Sequence, residues 1–293
     1  MVVCEVQPYD GSLRQARGML AVEGGIFGEC PYSPEQIASL LRGPAQHALV
    51  ALVGDHVVGF LTAFETDTLA GCNLEVDLVA VRPDEQRRGI ATQLLGAAAR
   101  LAAMREVKRA RGLVATSNLV SQKAFRKAGY RASSVVRDLM VCDVTGEVIA
   151  RATGRFIGVD ALSEVEEADY VVEHHGNTCF TPSEIVSLVR PQCHEIWVAR
   201  QDNTIAGFCE GVWVQTLLYR GVWIESLHAC HDDPVVLRSL LARIVERAIA
   251  AGLDKVGCVF ERDLHARQRI LAEEGFRRVD EYQWFQSRVG TAR

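Results

Sequence analysis

Six consecutive residues, Gln86, Arg87, Arg88, Gly89, Ile90 and Ala91, form a short basic turn containing a glycine. A turn of this kind placed before a helix is either a phosphate cradle or a solvated turn whose arginines keep a loop soluble. The first helical N–H groups lack intrahelical partners, the helix dipole favours an anion, and glycine lets backbone approach the ligand. The two arginines add charge-assisted donors. Just upstream, Glu75 and Asp77 stand two residues apart, a spacing that puts both carboxylates on one face of a strand. There they either take a proton from a bound group or pair with solvent or an arginine.

The flanking residues supply the elements that such a site needs. Leu74, Val76, Leu78 and Ala80 alternate with Glu75, Asp77, Val79 and Val81, which predicts a strand ended by Arg82, Pro83 and Asp84. Leu94, Leu95, Ala98, Leu101 and Ala102 recur at helical spacing after Thr92, so the basic turn leads directly into a helix. A second strand through Leu113, Val114 and Ala115 leads to Asn118 and a helix holding Ala124 and Phe125, which stops at Gly129 and Tyr130.

These residues resemble the GCN5-related N-acetyltransferase (GNAT) family, whose signature is a Gln/Arg-x-x-Gly-x-Gly/Ala loop after the fourth strand, here Gln86 to Ala91. The later run from Asn118 to Gly129 and Tyr130 is similar to the family's second pattern. The residues alone give a phosphate-binding α/β unit; acetyl-CoA as acetyl donor comes from the resemblance. It implies that the backbone of Val79, Ala80 and Val81 pairs with pantetheine. Arg87, Arg88, Gly89, Ile90, Ala91 and Thr92 would hold the pyrophosphate, and Asn118 and Ser121 would line the sulfur end. An amine acceptor of pKa ~10 is protonated near pH 7, a handicap of roughly 4 kcal/mol, so a base is needed. Glu75 occupies the position of the general-base glutamate of some family members, and Asp77 is the second candidate. Phe125 stands in the cofactor site where many members carry a tyrosine acid, leaving Tyr130 or water to protonate the departing thiolate. The segment from Glu23 to Tyr32, which includes Glu29 and Cys30, is where the family often builds its acceptor pocket.

Composition narrows the alternatives. The chain has 293 residues, 48% hydrophobic and 24% charged, enough for two cores. Residues 1–150 hold 16 basic and 16 acidic residues, so the net charge of −5 belongs to the second half. Neither this balance nor an aromatic content of 7% suits a nucleic-acid partner. The longest apolar stretch, Ala48 to Phe64, is broken by Gly54, Asp55 and His56 and reads as a hairpin rather than a membrane span. Nine cysteines without a C-x-x-C pair suggest reduced thiols in a cytoplasmic protein. His174, His175, Cys193, His194, His228, Cys230 and His231 lack metal-ligand spacing, so no metal is expected. Hydrolase and triphosphatase motifs are missing as well.

The chain also repeats itself. Ser33 to Arg42 recurs 148 residues later as Thr181 to Arg190, and the register continues through Gly59 and Phe60 against Gly207 and Phe208. The expected architecture is an α/β (α+β mixed sheet) class protein with two tandem acyl-CoA N-acyltransferase (GNAT) folds, residues 1–145 and 146–293, joined around Asp143 to Gly158. The second copy is degenerate. Asp232 and Asp233 stand where the basic turn would be, and Leu264 and Leu271 replace the residues matching Asn118 and Phe125, so this copy is expected to act as a scaffold or as a wall of the acceptor pocket. The expected activity is direct acetyl transfer to a primary amine of a small molecule in the first copy. A peptide N-acetyltransferase and a non-catalytic acyl-CoA-binding module remain alternatives, and oligomeric state is not legible.

Overall fold

The computed structural model describes residues 4–28, 32–145, 157–261 and 265–288. Glu29, Cys30, Leu264 and most of the expected connector lie outside them. The chain runs β1 (Cys4–Pro8), α1 (Leu13–Phe27), α2 (Pro34–Leu40), β2 (Gln46–Val53), β3 (His56–Thr66), β4 (Asn73–Val81), α3 (Ile90–Met104), β5 (Arg109–Ala115), α4 (Leu119–Lys127) and β6 (Arg131–Asp143). The series then repeats as β7 (Gly158–Ala161), α5 (Val165–His175), α6 (Pro182–Leu188), β8 (His194–Gln201), β9 (Thr204–Gln215), β10 (Arg220–Ala229), α7 (Pro234–Ala250), β11 (Lys255–Glu261), α8 (His265–Glu273) and β12 (Arg277–Arg288). The repeated Ser/Thr-Pro-x-Gln/Glu signal does the same work twice. Ser33 with Gln36 caps α2 and Thr181 with Glu184 caps α6, each by a reciprocal capping box.

Two compact units result, and they are not contiguous halves. One comprises Met1–Thr66, Cys72–Ser134 and Tyr282–Arg293; the other Asp67–Gly71 and Val135–Glu281. In the first unit β1, β2, β3 and β4 pair antiparallel in order, β4 pairs parallel with β5, and β5 pairs antiparallel with Tyr282–Arg288 of β12. In the second unit β7, β8, β9 and β10 follow the same antiparallel order. There β10 pairs parallel with β11, and β11 pairs antiparallel with Arg137–Asp143 of β6. Each unit thus takes its sixth strand from the end of the other repeat, so the expected division at residue 145 differs from the compact units. The repeat in the sequence specifies a strand at each of these places; which sheet edge it joins is a long-range choice that the local pattern does not encode.

Both mixed sheets are opened at the same point. In the first unit the β4–β5 pairing runs from Asn73↔Arg109 to Val76↔Gly112 and ends there. The next residue, Asp77, is the extra one at a register shift opposite Thr62 and Ala63. In the second unit β10–β11 pairing ends at Ile224↔Cys258, and the β9–β10 register shifts at Glu225, 148 residues after Asp77. A bulge adds a residue to one strand, bends it and raises the local twist. Beyond each bulge, therefore, the two parallel strands splay.

The core of the first unit fills the α3 side of its sheet, with Leu74 and Val76 of β4 against Ile90, Leu94, Leu95 and Ala98 of α3. Phe125 packs edge-on against Tyr130 at a centroid distance of 5.0 Å and against Phe285 of β12 at 5.4 Å. Phe285 is fully buried although it lies 160 residues from Phe125 in the chain. Phe285→Ala should therefore destabilise the first unit by about 3–5 kcal/mol, the usual cost of emptying a buried aromatic site, measured by denaturant unfolding.

Candidate active site

The site begins at the N-terminus of α3. Gly89 is the N-cap in the left-handed region (φ 84°), and no side chain caps the helix. Arg87 is also left-handed at φ 65°, so left-handed residues flank Arg88, an alternation of the kind found in anion-binding nests. The Gln86 side-chain amide donates to the Val81 carbonyl at 3.1 Å and ties the turn to the end of β4.

A cavity of about 580 Å³ runs from this turn between the end of β4 and α4. Of the residues expected to hold acetyl-CoA, Val79, Val81, Arg87, Gly89, Ile90, Ala91, Thr92, Asn118, Ser121 and Phe125 line it. Ala80 and Arg88 do not. Strand alternation turns Ala80 to the other face, and Arg88 pairs with Glu85 at 2.7 Å. Asn118 caps α4 by accepting from the Ser121 N–H at 3.0 Å, which fixes both residues at the cavity wall. Residues that sequence reasoning did not single out also line it, notably Ile26, Leu95, Lys123 and Lys127. The i, i+4 spacing of the two lysines on one face of α4 was the signal available for them.

The two candidate bases have opposite environments. Glu75 accepts from Arg111 Nε at 2.7 and 2.9 Å and from the Thr66 hydroxyl at 2.8 Å. Arg111 in turn lies over the Trp284 ring of β12 at 4.4 Å. Both side chains are about nine-tenths buried. Glu75, the first candidate for the base, is thus held in a buried ion pair with Arg111. The spacing that put it on the strand was legible, but its partner arrives from β5, 36 residues later.

Asp77 sits in the bulge. Burial pushes its carboxyl up to about 7, opposed by the Thr62 hydroxyl at 3.4 Å and reinforced by the Glu23 carboxylate on α1. A general base at neutral pH needs such a value. Glu23 itself is 1% exposed.

Neither aromatic offers an acid. Phe125 carries no hydroxyl, and the ring fits only because residue 112 is glycine: a Cβ there would lie 2.7 Å from the ring. Tyr130 is buried, donates its hydroxyl to the Leu95 carbonyl at 3.1 Å, and burial raises its pKa well above the usual phenol value. Tyr130, the other aromatic considered as a proton donor, thus has its hydroxyl turned to a backbone carbonyl and is not among the residues lining the cavity.

The corresponding place in the second unit is closed by its own chain. Asp233 caps α7 by accepting from Val235 N–H at 2.8 Å and Val236 N–H at 3.5 Å, so a carboxylate occupies the position of an anion. Arg267 pairs with Asp232 at 2.9 Å. The histidines and cysteines read as too irregular for a metal pack among themselves: Tyr170 stacks on His174 and contacts the Cys230 sulfur at 3.0 Å, and His228 stacks on Phe208. Among the described residues no three potential ligands are grouped around a metal position.

Comparison with solved structures bears on the fold. Over the whole chain the fold matches a tandem GNAT protein from the clavulanic acid biosynthesis pathway (TM-score 0.60, 17% identity, covering 99% of this chain and 100% of that one). It also matches a GCN5-related N-acetyltransferase from Sphaerobacter thermophilus (0.61, 17%, 98% and 96%). A third match is a fungal multi-domain GH3 beta-N-acetylglucosaminidase with a GCN5-related glucosamine N-acetyltransferase region (0.60, 18%, 98% of this chain), of which the chain spans only 38%. At these identities the likeness is one of fold: a tandem GNAT fold. Residues 19–130, within the first unit, match the family model described as the acetyltransferase (GNAT) family. No curated protein matches the sequence significantly.

Two outcomes follow from the site. Glu75→Ala should cost about 3–5 kcal/mol of stability in unfolding experiments, because it strands the buried Arg111 charge. Asp77 has the opposite signature. The folded chain keeps a proton that the unfolded chain loses near pH 4, so this group should make stability fall as pH rises from about 4 to about 7, and Asp77→Asn should remove that slope.

Proposed function

We propose that the first unit transfers an acetyl group from acetyl-CoA directly to a primary amine of a small molecule, with Asp77 as the general base. The observation that carries this reading is the position of Asp77: a carboxyl titrating near neutrality, one residue past the last β4–β5 pair, in the unit that also holds the uncapped α3 turn. Val79 and Val81, beyond the splay, have no β5 partner and line the cavity, which supports the reading that their backbone pairs with pantetheine. Arg87 and the first N–H groups of α3 would hold the pyrophosphate, with Lys123 and Lys127 adding positive charge.

Acetyl-CoA supplies the activated acetyl thioester. Asp77 would take one proton from the acceptor ammonium, the neutral amine would form the C–N bond as the C–S bond breaks, and the second N–H proton would pass through water to the departing thiolate, whose pKa of ~8.5 makes it a tolerable leaving group without a tyrosine acid. The second unit, with Asp233 in its anion position, takes no cofactor on this reading. No helix among the described residues is long and apolar enough to cross a membrane. Cys142, Cys209 and Cys258 are buried free thiols, which supports a cytoplasmic location.

One observation favours a second reading, acyl-CoA binding without turnover: the site has neither a tyrosine at 125 nor an available one at 130. Release of CoA thiol from acetyl-CoA in the presence of pooled amines, amino acids, aminoglycosides and peptides distinguishes them. Turnover should rise with pH through about 7 on a small-amine pool and fall roughly 10²–10⁴-fold in Asp77→Asn, with the pH limb lost. Turnover on peptides alone would move the acceptor class. Binding with no turnover in any pool would favour the second reading.

A further inference from the structure

Helix α1 packs on β3 and β4. Gly18 lets it come close, because a Cβ there would lie 2.6 Å from the Val57 side chain of β3. Ala16, Met19, Glu23 and Ile26 follow one another at helical spacing and form one stripe of the helix. Ala16, Met19 and Glu23 are at most 1% exposed, so this stripe faces the sheet. Glu23 is therefore a carboxyl set among apolar side chains. Burying a carboxylate in such surroundings is costly, and groups of this kind collect at functional sites.

Its place along the helix matches that of Asp77 along the strand. Ile26, one turn beyond Glu23, and Val79, two residues beyond Asp77, line the same cavity. Both carboxyls thus belong to the interface of α1 with β4, one step before the cavity begins. From β3 the Thr62 hydroxyl reaches Asp77 at 3.4 Å. On β4 itself Glu75 is neutralised by Arg111 of β5. Asp77 accordingly faces one hydroxyl and one carboxylate. These act in opposite directions, the Thr62 hydroxyl favouring the ionised form and the Glu23 carboxylate, together with burial, the protonated one.

We propose that Glu23 is a positioning residue for the base, a fixed anion that acts on the acceptor's proton through Asp77 and does not touch the acceptor. This rests on the reading of Asp77 as the base. The proton moves from the acceptor nitrogen to an Asp77 carboxylate oxygen, and its arrival there removes the repulsion between two anions. Without Glu23 the same transfer leaves the proton on a weaker base.

The test follows the Asp77 carboxyl carbon by NMR in the full chain made with carbon-13 aspartate, its resonance being the one lost in Asp77→Asn. Turnover of acetyl-CoA with the small-amine pool is measured against pH on the same proteins. Glu23→Gln keeps the shape and removes the charge, so the Asp77 midpoint should fall by about one pH unit and the pH limb of turnover should move down with it. Glu23→Asp keeps the charge and should hold at least roughly half of that difference. Thr62→Val removes the hydroxyl and should move the midpoint up. A loosened fold would instead take every variant toward the ordinary aspartate value of about 4. An unmoved midpoint in Glu23→Gln, a fall as large in Glu23→Asp or Thr62→Val, or a shifted midpoint with an unmoved pH limb would overturn the proposal. Absence of turnover by the unaltered chain would overturn the transferase reading, and the positioning role with it.

Discussion

The end of the β4–β5 ladder at Val76 and Gly112 is the constraint on which the rest of the first unit depends. A parallel pair that continued would satisfy the backbone of Val79 to Val81 and close the sheet. Because an extra residue is inserted at Asp77, β4 bends away while its antiparallel pairing with β3 resumes at Leu78. The same insertion lifts the Asp77 carboxyl out of the regular alternation into a partly buried place, where its ionisation is disfavoured. One backbone irregularity thus ends the β4–β5 ladder and sets the Asp77 carboxyl one residue beyond it.

The wedge must be held open from both sides. On the β4 side the Glu75–Arg111 pair spans the last hydrogen-bonded rungs, and Trp284 of β12 covers the guanidinium. On the β5 side Phe125 fills the space over Gly112, supported by Tyr130 and Phe285. Phe125, which departs from the family's tyrosine, is therefore a packing residue as well as a cavity wall, and its ring position requires a glycine on the neighbouring strand. Two of these supports come from β12, the last strand of the second repeat. The chain's C-terminal region is in this way part of the first unit's framework, whatever cofactor the second unit does or does not hold.

The two repeats show how few changes convert a phosphate turn into a closed end. Both units keep the bulge, the splay and the helix that follows. In the first, Gly89 leaves the N-terminus of α3 without a side-chain cap; in the second, Asp233 provides one for α7. An aspartate at an N-cap satisfies the helix by the same electrostatics that would otherwise attract an anion. On the proposed reading, this one substitution of an internal for an external anion is enough to restrict the cofactor to one unit.

The sequence alone determined the local elements: the basic glycine turn, the capping boxes at Ser33 and Thr181, the period-2 strand through Glu75 and Asp77, and the duplication at 148 residues. Each is set by interactions within a few residues, so pattern and spacing suffice to reveal it. Tertiary structure decided the rest. That Glu75 is ion-paired depends on Arg111, and that the Asp77 carboxyl is pushed up to about 7 depends first on its burial and then on Glu23, contacts distant in sequence. Tyr130 loses its availability to the Leu95 carbonyl, and Ala80 and Arg88 leave the cavity through strand alternation and a local ion pair. The exchange of β6 and β12 between units is the largest feature that the repeat could not reveal. A strand's alternation specifies which of its faces is buried, but hydrogen-bonding edges are alike, and the choice of edge is made only when the whole chain is packed.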